Sequence, residues 1–397
     1  MKNRIASVTW HYMMITAGFW MSFCIFTADA AIFLQNAGYN NQELGIIMAI
    51  GNTGGALLGP VLGSMIDRNR KIRHANVNYL LLALQAAFLI LLWVNPAKST
   101  LCAAGFVLYM ACALPVNAIN LDLCVRLEHA KAPLNFGLAR STGSLGFMVF
   151  SIIIGILLER MNYLVLPAAG LFITAMQAVG NRLVDRDLRA AEANGSGEIA
   201  GIREKSAALP AFIRENKAFC LMLFGTILIY IAHNMDGNFL INLVENLGGT
   251  ESTVNFLASF TALVEIPVMI FAAKLPKRWS TVQYIRMSFI FFVLKVLAYA
   301  LAPNIPLLYA ARILQAPSYA LYTVLIVGYA DAVVARKDSA KAQSLAFSMT
   351  TVGSVLASLI GGAMFDSAGV KPTMLTAVAI AAAGAVIALA GTKKTSR

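Results

Sequence analysis

Asp29, Asp122, Arg140, Asp236, Glu265, Lys295 and Arg312 all stand inside or at the edge of long apolar runs. A charged side chain in the middle of a lipid-exposed helix costs about 2.5–3.5 kcal/mol on insertion scales. Each must therefore face a protein interior, a wet cavity or an opposite charge. Arg140 sits in FGLARSTGSLGF, near the start of a run that continues to about Leu158, and Asp122 lies eighteen residues earlier on the preceding run. A carboxylate can accept from two adjacent hydroxyls, and a guanidinium donates in a fixed fork to hydroxyl oxygens or to an acid. The pair is expected to line a polar cavity in a helical bundle and bind a solute there. A structural ion pair at the membrane surface competes with this, because Arg140 follows the basic residues Arg126 and Lys131 and could snorkel outward.

The other groups carry paired readings too. Asp29 either takes part in function or only caps a helix or pairs with a polar neighbour. Glu265 lies mid-run beside Pro267, far from any loop, which favours function. Lys295 is expected to balance a carboxylate, and His233 fits a satisfied core histidine. Asn120 and Gln315, with Asn117, Asn234 and Asn238, fit either solute ligands or interhelical hydrogen bonds. Phe147 can cover an apolar ring face. Tyr319 and Tyr322 fit packing better than sugar platforms. Proton coupling requires a carboxyl whose proton affinity is raised by burial. No nucleophile–base pair, metal cluster or phosphate loop stands out, so no enzymatic role and no cofactor is expected. The five cysteines all fall in apolar runs without CxxC spacing and read as small core residues.

The elements that must hold these groups are membrane helices. Of 397 residues, 59% are hydrophobic and 13% charged, with a mean hydropathy of +0.71; soluble domains are about a quarter charged. The runs are continuous rather than alternating, which excludes a barrel pattern. Spans are expected at about 8–34, 44–66, 75–94, 101–123, 136–158 and 164–183. Six more follow at about 219–244, 254–274, 284–301, 306–334, 344–365 and 374–390. The polar stretch 185–216, with Asn194-Gly195-Ser196-Gly197, reads as a linker, part of it fitting an amphipathic surface helix. The organisation is then an all-α membrane protein with two six-helix bundles, 1–184 and 217–397, joined by 185–216. STGSLGF and TTVGSVLA occupy equivalent places in the two halves, a weak echo of duplication.

The net charge of +12 does not point to nucleic acid. Lys and Arg cluster at alternate ends of the spans, as at Arg68–Arg73, Arg126–Lys131 and the linker, while the opposite loops carry little beyond Lys98, Arg160 and Lys371. By the positive-inside rule both termini and the linker are expected in the cytoplasm, in a plasma (inner) membrane protein. The basic-then-apolar start reads as a retained first helix. A monomer is expected.

Between the second and third runs stands Gly63-Ser-Met-Ile-Asp67-Arg68-Asn-Arg70-Lys71. It resembles the signature loop of the major facilitator superfamily, although the usual second glycine is absent. That resemblance implies a gating role: Asp67, Arg68, Arg70 and Lys71 would pair with a neighbouring bundle in one access state and release it in the other. Asp122, Arg140 and Phe147 further resemble the sugar-binding carboxylate, arginine and stacking aromatic of the lactose permease family. Glu265-Ile-Pro267 is similar to its nucleoside and phenylpropionate permease cousins. Lys295 falls where the family keeps a buried arginine, and Arg312–Tyr319 on its lysine, histidine and glutamate segment. Here Gln315 and Ser318 replace the histidine and glutamate, His233 one aspartate, and Thr350 a lysine. Those last two changes remove one intramembrane bridge as a pair, which charge balance requires; the bridge left is Asp236 with Arg312. The proton would then ride on Glu265, Asp236, Asp122, Asp29 or His233.

The resemblance implies an alternating-access symporter of a sugar, glycoside or nucleoside, driven by the proton gradient. A drug or metabolite exporter of the same fold is the alternative, weakened by the absence of proline in 143–158. A non-transporting sensor would bring a larger soluble part.

Overall fold

The computed structural model describes residues 2–69, 72–194, 209–271, 276, 279–335 and 338–392, and among them no strand is present. Helix α1 (Lys2–Phe26) bends by 41° into α2 (Ala30–Asn36). Next come α3 (Asn41–Arg68), α4 (His74–Val94), α5 (Thr100–His129), α6 (Phe136–Arg160) and α7 (Val165–Asn194). Then follow α8 (Leu209–Glu215), α9 (Lys217–Asn238), α10 (Leu240–Asn246), α11 (Glu251–Phe271) and α12 (Thr281–Leu301). The last are α13 (Ile305–Arg312), α14 (Leu321–Val333), α15 (Ser339–Ala368) and α16 (Val370–Gly391).

Among the described residues ten helices are long and apolar enough to cross a membrane, the run from α13 through α14 counting as one, and the bent α1–α2 pair adds an eleventh. Helix α7 is 30 residues long but carries Gln177, Asn181 and Arg182. Two of these polar groups are buried and satisfied. Gln177 Nε2 donates to Ser22 Oγ at 3.0 Å, and Asn181 Nδ2 donates to the Ala75 carbonyl at 2.9 Å. Such interhelical bonds hold helices together where the hydrophobic effect cannot. With α7 the architecture is consistent with the twelve expected spans.

Long apolar runs hid three interruptions. The first span breaks at 27–29, and the seventh breaks at Phe239 into α9 and α10. The tenth contains a 3₁₀ turn (Ile313–Gln315) and a π turn (Ala316–Ala320) between α13 and α14. Pro317 explains the last: it lacks an N–H and its ring collides with the carbonyl four residues back. In the opposite sense, α7 does not stop near 183 but runs on to Asn194. An i,i+4 pair (Arg189 to Asp185, 2.7 Å) and ties from Arg73 to Asp185 (3.0 Å) and His11 to Asp187 (2.5 Å) support that extension.

The chain divides into two compact units, Met1–Ala200 with Glu251–Ser259, and Gly201–Thr250 with Phe260–Arg397. In the first unit, Tyr12, Ile15, Leu123, Leu127, Ala139 and Val184 form a core where α1, α5, α6 and α7 meet. Helices α1 and α6 come close because residue 143 is glycine: a Cβ there would land on the Trp20 ring. In the second unit, Phe289, Phe292, Tyr322 and Tyr329 anchor the core. Gly225 and Gly384 let the α9 and α16 backbones touch.

Candidate functional site

In the second unit, four elements bring charged and polar groups to one place. Lys295 of α12 is fully buried, and its ammonium has three N–H donors. It lies 3.2 Å from Asp236 Oδ2 and 2.5 Å from His233 Nδ1, and donates to Gln315 Oε1 at 3.2 Å. His233 and Asp236 are one turn apart on α9. The ammonium thus has one ion partner, Asp236, and two hydrogen-bond partners, His233 and Gln315. Acting as an acceptor leaves the His233 ring neutral, with its proton on Nε2. Gln315, in the 3₁₀ turn, donates its Nε2 onward to Glu265 Oε1 at 2.8 Å. Beside it Ser318 Oγ caps the Leu314 carbonyl at 2.6 Å. Asp236, Lys295 and Gln315 are buried, whereas Glu265 is half-buried. His233 is also boxed by Tyr319, Phe292 and Tyr230, at centroid distances of 5.1, 5.5 and 5.6 Å.

The expected Asp236–Arg312 bridge is not formed; Asp236 takes Lys295 as its ion partner. Arg312, at the end of α13, lays its guanidinium over the Tyr299 ring, 4.8 Å from the centroid. Its Nε and Nη2 make no hydrogen bond among the described residues. The ring face supplies the stabilisation that a carboxylate would otherwise give. With His233 neutral, two cations (Lys295, Arg312) face two carboxylates (Asp236, Glu265), so the cluster balances.

In the first unit, Asp122 and Arg140 do not pair. The Asp122 carboxylate is taken by His74 Nε2 and by Arg126 Nε at 3.0 Å, one turn along α5. Its side chain is 45% exposed. A partner on the same helix and another at the start of α4 both meet its Oδ2. Arg140 instead covers Trp20, with the guanidinium carbon 4.7 Å from the ring centroid. Asn120 is buried: its Oδ1 accepts from Asn78 at 3.0 Å and its carbonyl accepts from Tyr12 Oη at 2.8 Å, while its Nδ2 makes no hydrogen bond among the described residues. Phe147 is half-buried on α6 and makes no aromatic stack among the described residues.

Asp29 is buried at the α1–α2 bend. It accepts from Asn255 Nδ2 at 2.8 Å and from Cys24 Sγ at 3.4 Å, and Cys24 in turn meets Ser151 Oγ at 3.1 Å. Among the described residues it has no cationic partner. Gly63 opens onto free space and Arg68 is exposed at the end of α3. The Asp67 side chain, Arg70 and Lys71 lie outside the described residues, so the expected gating contacts do too. No cluster of potential metal ligands occurs among the described residues. Sequence reasoning missed Trp20, Tyr299 and His74. Trp20 had a signal: a tryptophan deep in an apolar run, away from the interfacial belt where tryptophans usually sit.

Residues 19–376 match the profile of the MFS_1-like family. A Deinococcus radiodurans protein provisionally named a sugar efflux transporter is 33% identical over 142 residues, 36% of each chain, so the match spans about a third of that relative. The maltose permease of Geobacillus stearothermophilus is 24% identical over 354 residues, covering 87% of this chain and 86% of the permease. Among solved structures, a single-residue variant of the nucleoside transporter NupG superposes with a TM-score of 0.73 at 13% identity, covering 98% and 99% of the two chains. An inward-facing bacterial homologue of the iron transporter ferroportin gives 0.71 at 15%, covering 99% and 100%. At such identities the structures share the fold, whereas the family profile spans nearly the whole sequence. The chain therefore belongs to the MFS_1-like family of major facilitator superfamily transporters, as a multi-pass integral membrane protein.

Proposed function

We propose that this transporter is a proton-coupled importer of an uncharged, hydroxyl-rich solute: a sugar, glycoside or nucleoside. The carrying observation is the chain Asp236–Lys295–Gln315–Glu265, which links a buried ion pair to a half-buried carboxylate through one amide. Ionised Glu265 accepts from the Gln315 amide nitrogen and thereby turns the amide oxygen to Lys295. A protonated Glu265 would donate to that oxygen instead, reverse the amide and deprive Lys295 of that acceptor. One proton at Glu265 thus alters the pairing of Lys295 with Asp236. The helix break at 313–320 supplies the irregular backbone that carriers use where a solute docks. The maltose permease and NupG likenesses support the solute class. Arg140 on Trp20 offers a second fork-and-ring pair suited to sugars in the first unit. The Lys and Arg distribution supports cytoplasmic termini in a plasma (inner) membrane; the proposed transporter is a monomer driven by the proton gradient without a cofactor.

The Deinococcus radiodurans relative favours a second reading, export by exchange for protons. One experiment separates the two. A transported sugar or nucleoside is added to de-energised cells while external pH is followed. Symport makes the medium more alkaline and antiport makes it more acidic; no change with a transported solute removes proton coupling altogether.

A further inference from the structure

Outside the site described, the first unit carries a groove of about 790 Å³ between α4 and α7. Asn76 and Tyr79 line it from α4, and Ala178, Val179 and Leu183 from α7. Arg182, Arg186 and Arg189 stand along its wall at i, i+4 and i+7, on one face of the helix. All three are exposed. Their charge exceeds what the local carboxylates absorb. Asp185, the groove's one acidic lining residue, is already held by Arg73 at 3.0 Å and Arg189 at 2.7 Å. Asp187 is engaged by His11 at 2.5 Å and lies 3.9 Å from Arg186. Arg182 has no carboxylate within ion-pair distance among the described residues. Below the arginines the surface turns apolar and open, with Leu80 58%, Val179 53% and Phe172 73% exposed.

A basic mouth above an apolar slot, on the 30-residue helix α7 of a membrane protein, matches a phosphodiester headgroup attached to acyl chains. We propose that this groove is a binding site for an anionic glycerophospholipid, its phosphate held by Arg182 and Arg186 and its chains lying along Val179 and Phe172. Arg189, tied to Asp185, contributes field rather than a direct contact. Arginine suits the role because its fork matches phosphate oxygens in pairs.

The test uses full-length protein purified in a mild detergent, with melting temperature read as lipid is added. Dioleoyl phosphatidylglycerol should raise the melting temperature, and the zwitterionic phosphatidylcholine of the same chains should not. Glycerol 3-phosphate, the headgroup anion without chains, should give no shift. Arg182→Gln and Arg186→Gln should each weaken the phosphatidylglycerol response roughly fivefold in half-saturating concentration, and the double variant about 25-fold. Equal shifts from both lipids, an equal shift from glycerol 3-phosphate, or an unchanged response in the double variant would overturn the proposal. If the double variant does not fold, native mass spectrometry of the wild type decides. Retention of phosphatidylglycerol over phosphatidylcholine at equal supply upholds the site, and equal retention rejects it.

Discussion

Lys295 is the residue on which the second unit's chemistry turns. A fully buried ammonium is tolerated because Asp236 balances its charge and His233 and Gln315 accept its hydrogen bonds. Removing one member of such a pair leaves an uncompensated charge, at a cost of about 3–5 kcal/mol, whereas removing both with apolar groups is often near neutral. Asp236→Ala should therefore lower thermal stability sharply, and Asp236→Ala with Lys295→Met should recover most of the loss, as read by denaturation of purified protein. A double variant less stable than either single would show that the bridge is misassigned. Asp122 makes the contrasting case. Its carboxylate serves His74 and Arg126, so Asp122→Asn should leave the half-saturation constant for transport within about twofold while Arg140→Gln raises it tenfold or more. Equal effects from the two would restore a shared binding role. Residue spacing put these groups on long helices of mostly apolar composition. It did not yield their partners, because a pairing depends on how each helix is rotated and tilted, and hydropathy carries no phase for a helix apolar on every side. Asp122 pairs with a residue one turn along its own helix, a partner legible in the sequence at i,i+4.

At the level of elements, the interruptions matter more than the helices. The span 305–333 was legible as one apolar run, but its 3₁₀ and π turns aim Gln315 between Lys295 and Glu265. Pro317 was visible in the sequence, yet a proline in a membrane span can equally kink, bend or do little. Pro317→Ala should let the helix regularise and rotate Gln315 out of register. We expect transport to fall at least tenfold while thermal stability holds or rises; unchanged transport would show that the break is incidental. The α1–α6 contact gives a second test. A methyl at residue 143 would displace Trp20, so Gly143→Ala should weaken solute affinity as much as Trp20→Leu does, and the double variant should be no worse than Trp20→Leu alone. Additive losses would separate the glycine from the ring. The charged extension of α7 was read as linker because its composition is polar. Its helicity comes from ties to His11 and Arg73, 176 and 112 residues distant in sequence, which no local pattern reports.

For the whole molecule, composition and the long apolar runs indicated a helical membrane protein, the resemblance of the Gly63–Lys71 loop implied the major facilitator superfamily, and the family profile over residues 19–376 agrees. The bilayer dictates this outcome: without water to satisfy the backbone, every spanning segment must be helical, and each costly charge must find an interior partner. The central claim is that the Glu265 end of the ionic chain carries the coupling proton. The most direct measurement compares wild type and Glu265→Gln in proteoliposomes containing a transported sugar or nucleoside. Solute exchange is followed at equal pH on both sides, and accumulation is followed under an imposed pH gradient. The expected result is that Glu265→Gln exchanges solute at a rate near wild type but no longer accumulates it. Accumulation by Glu265→Gln equal to wild type would contradict the claim.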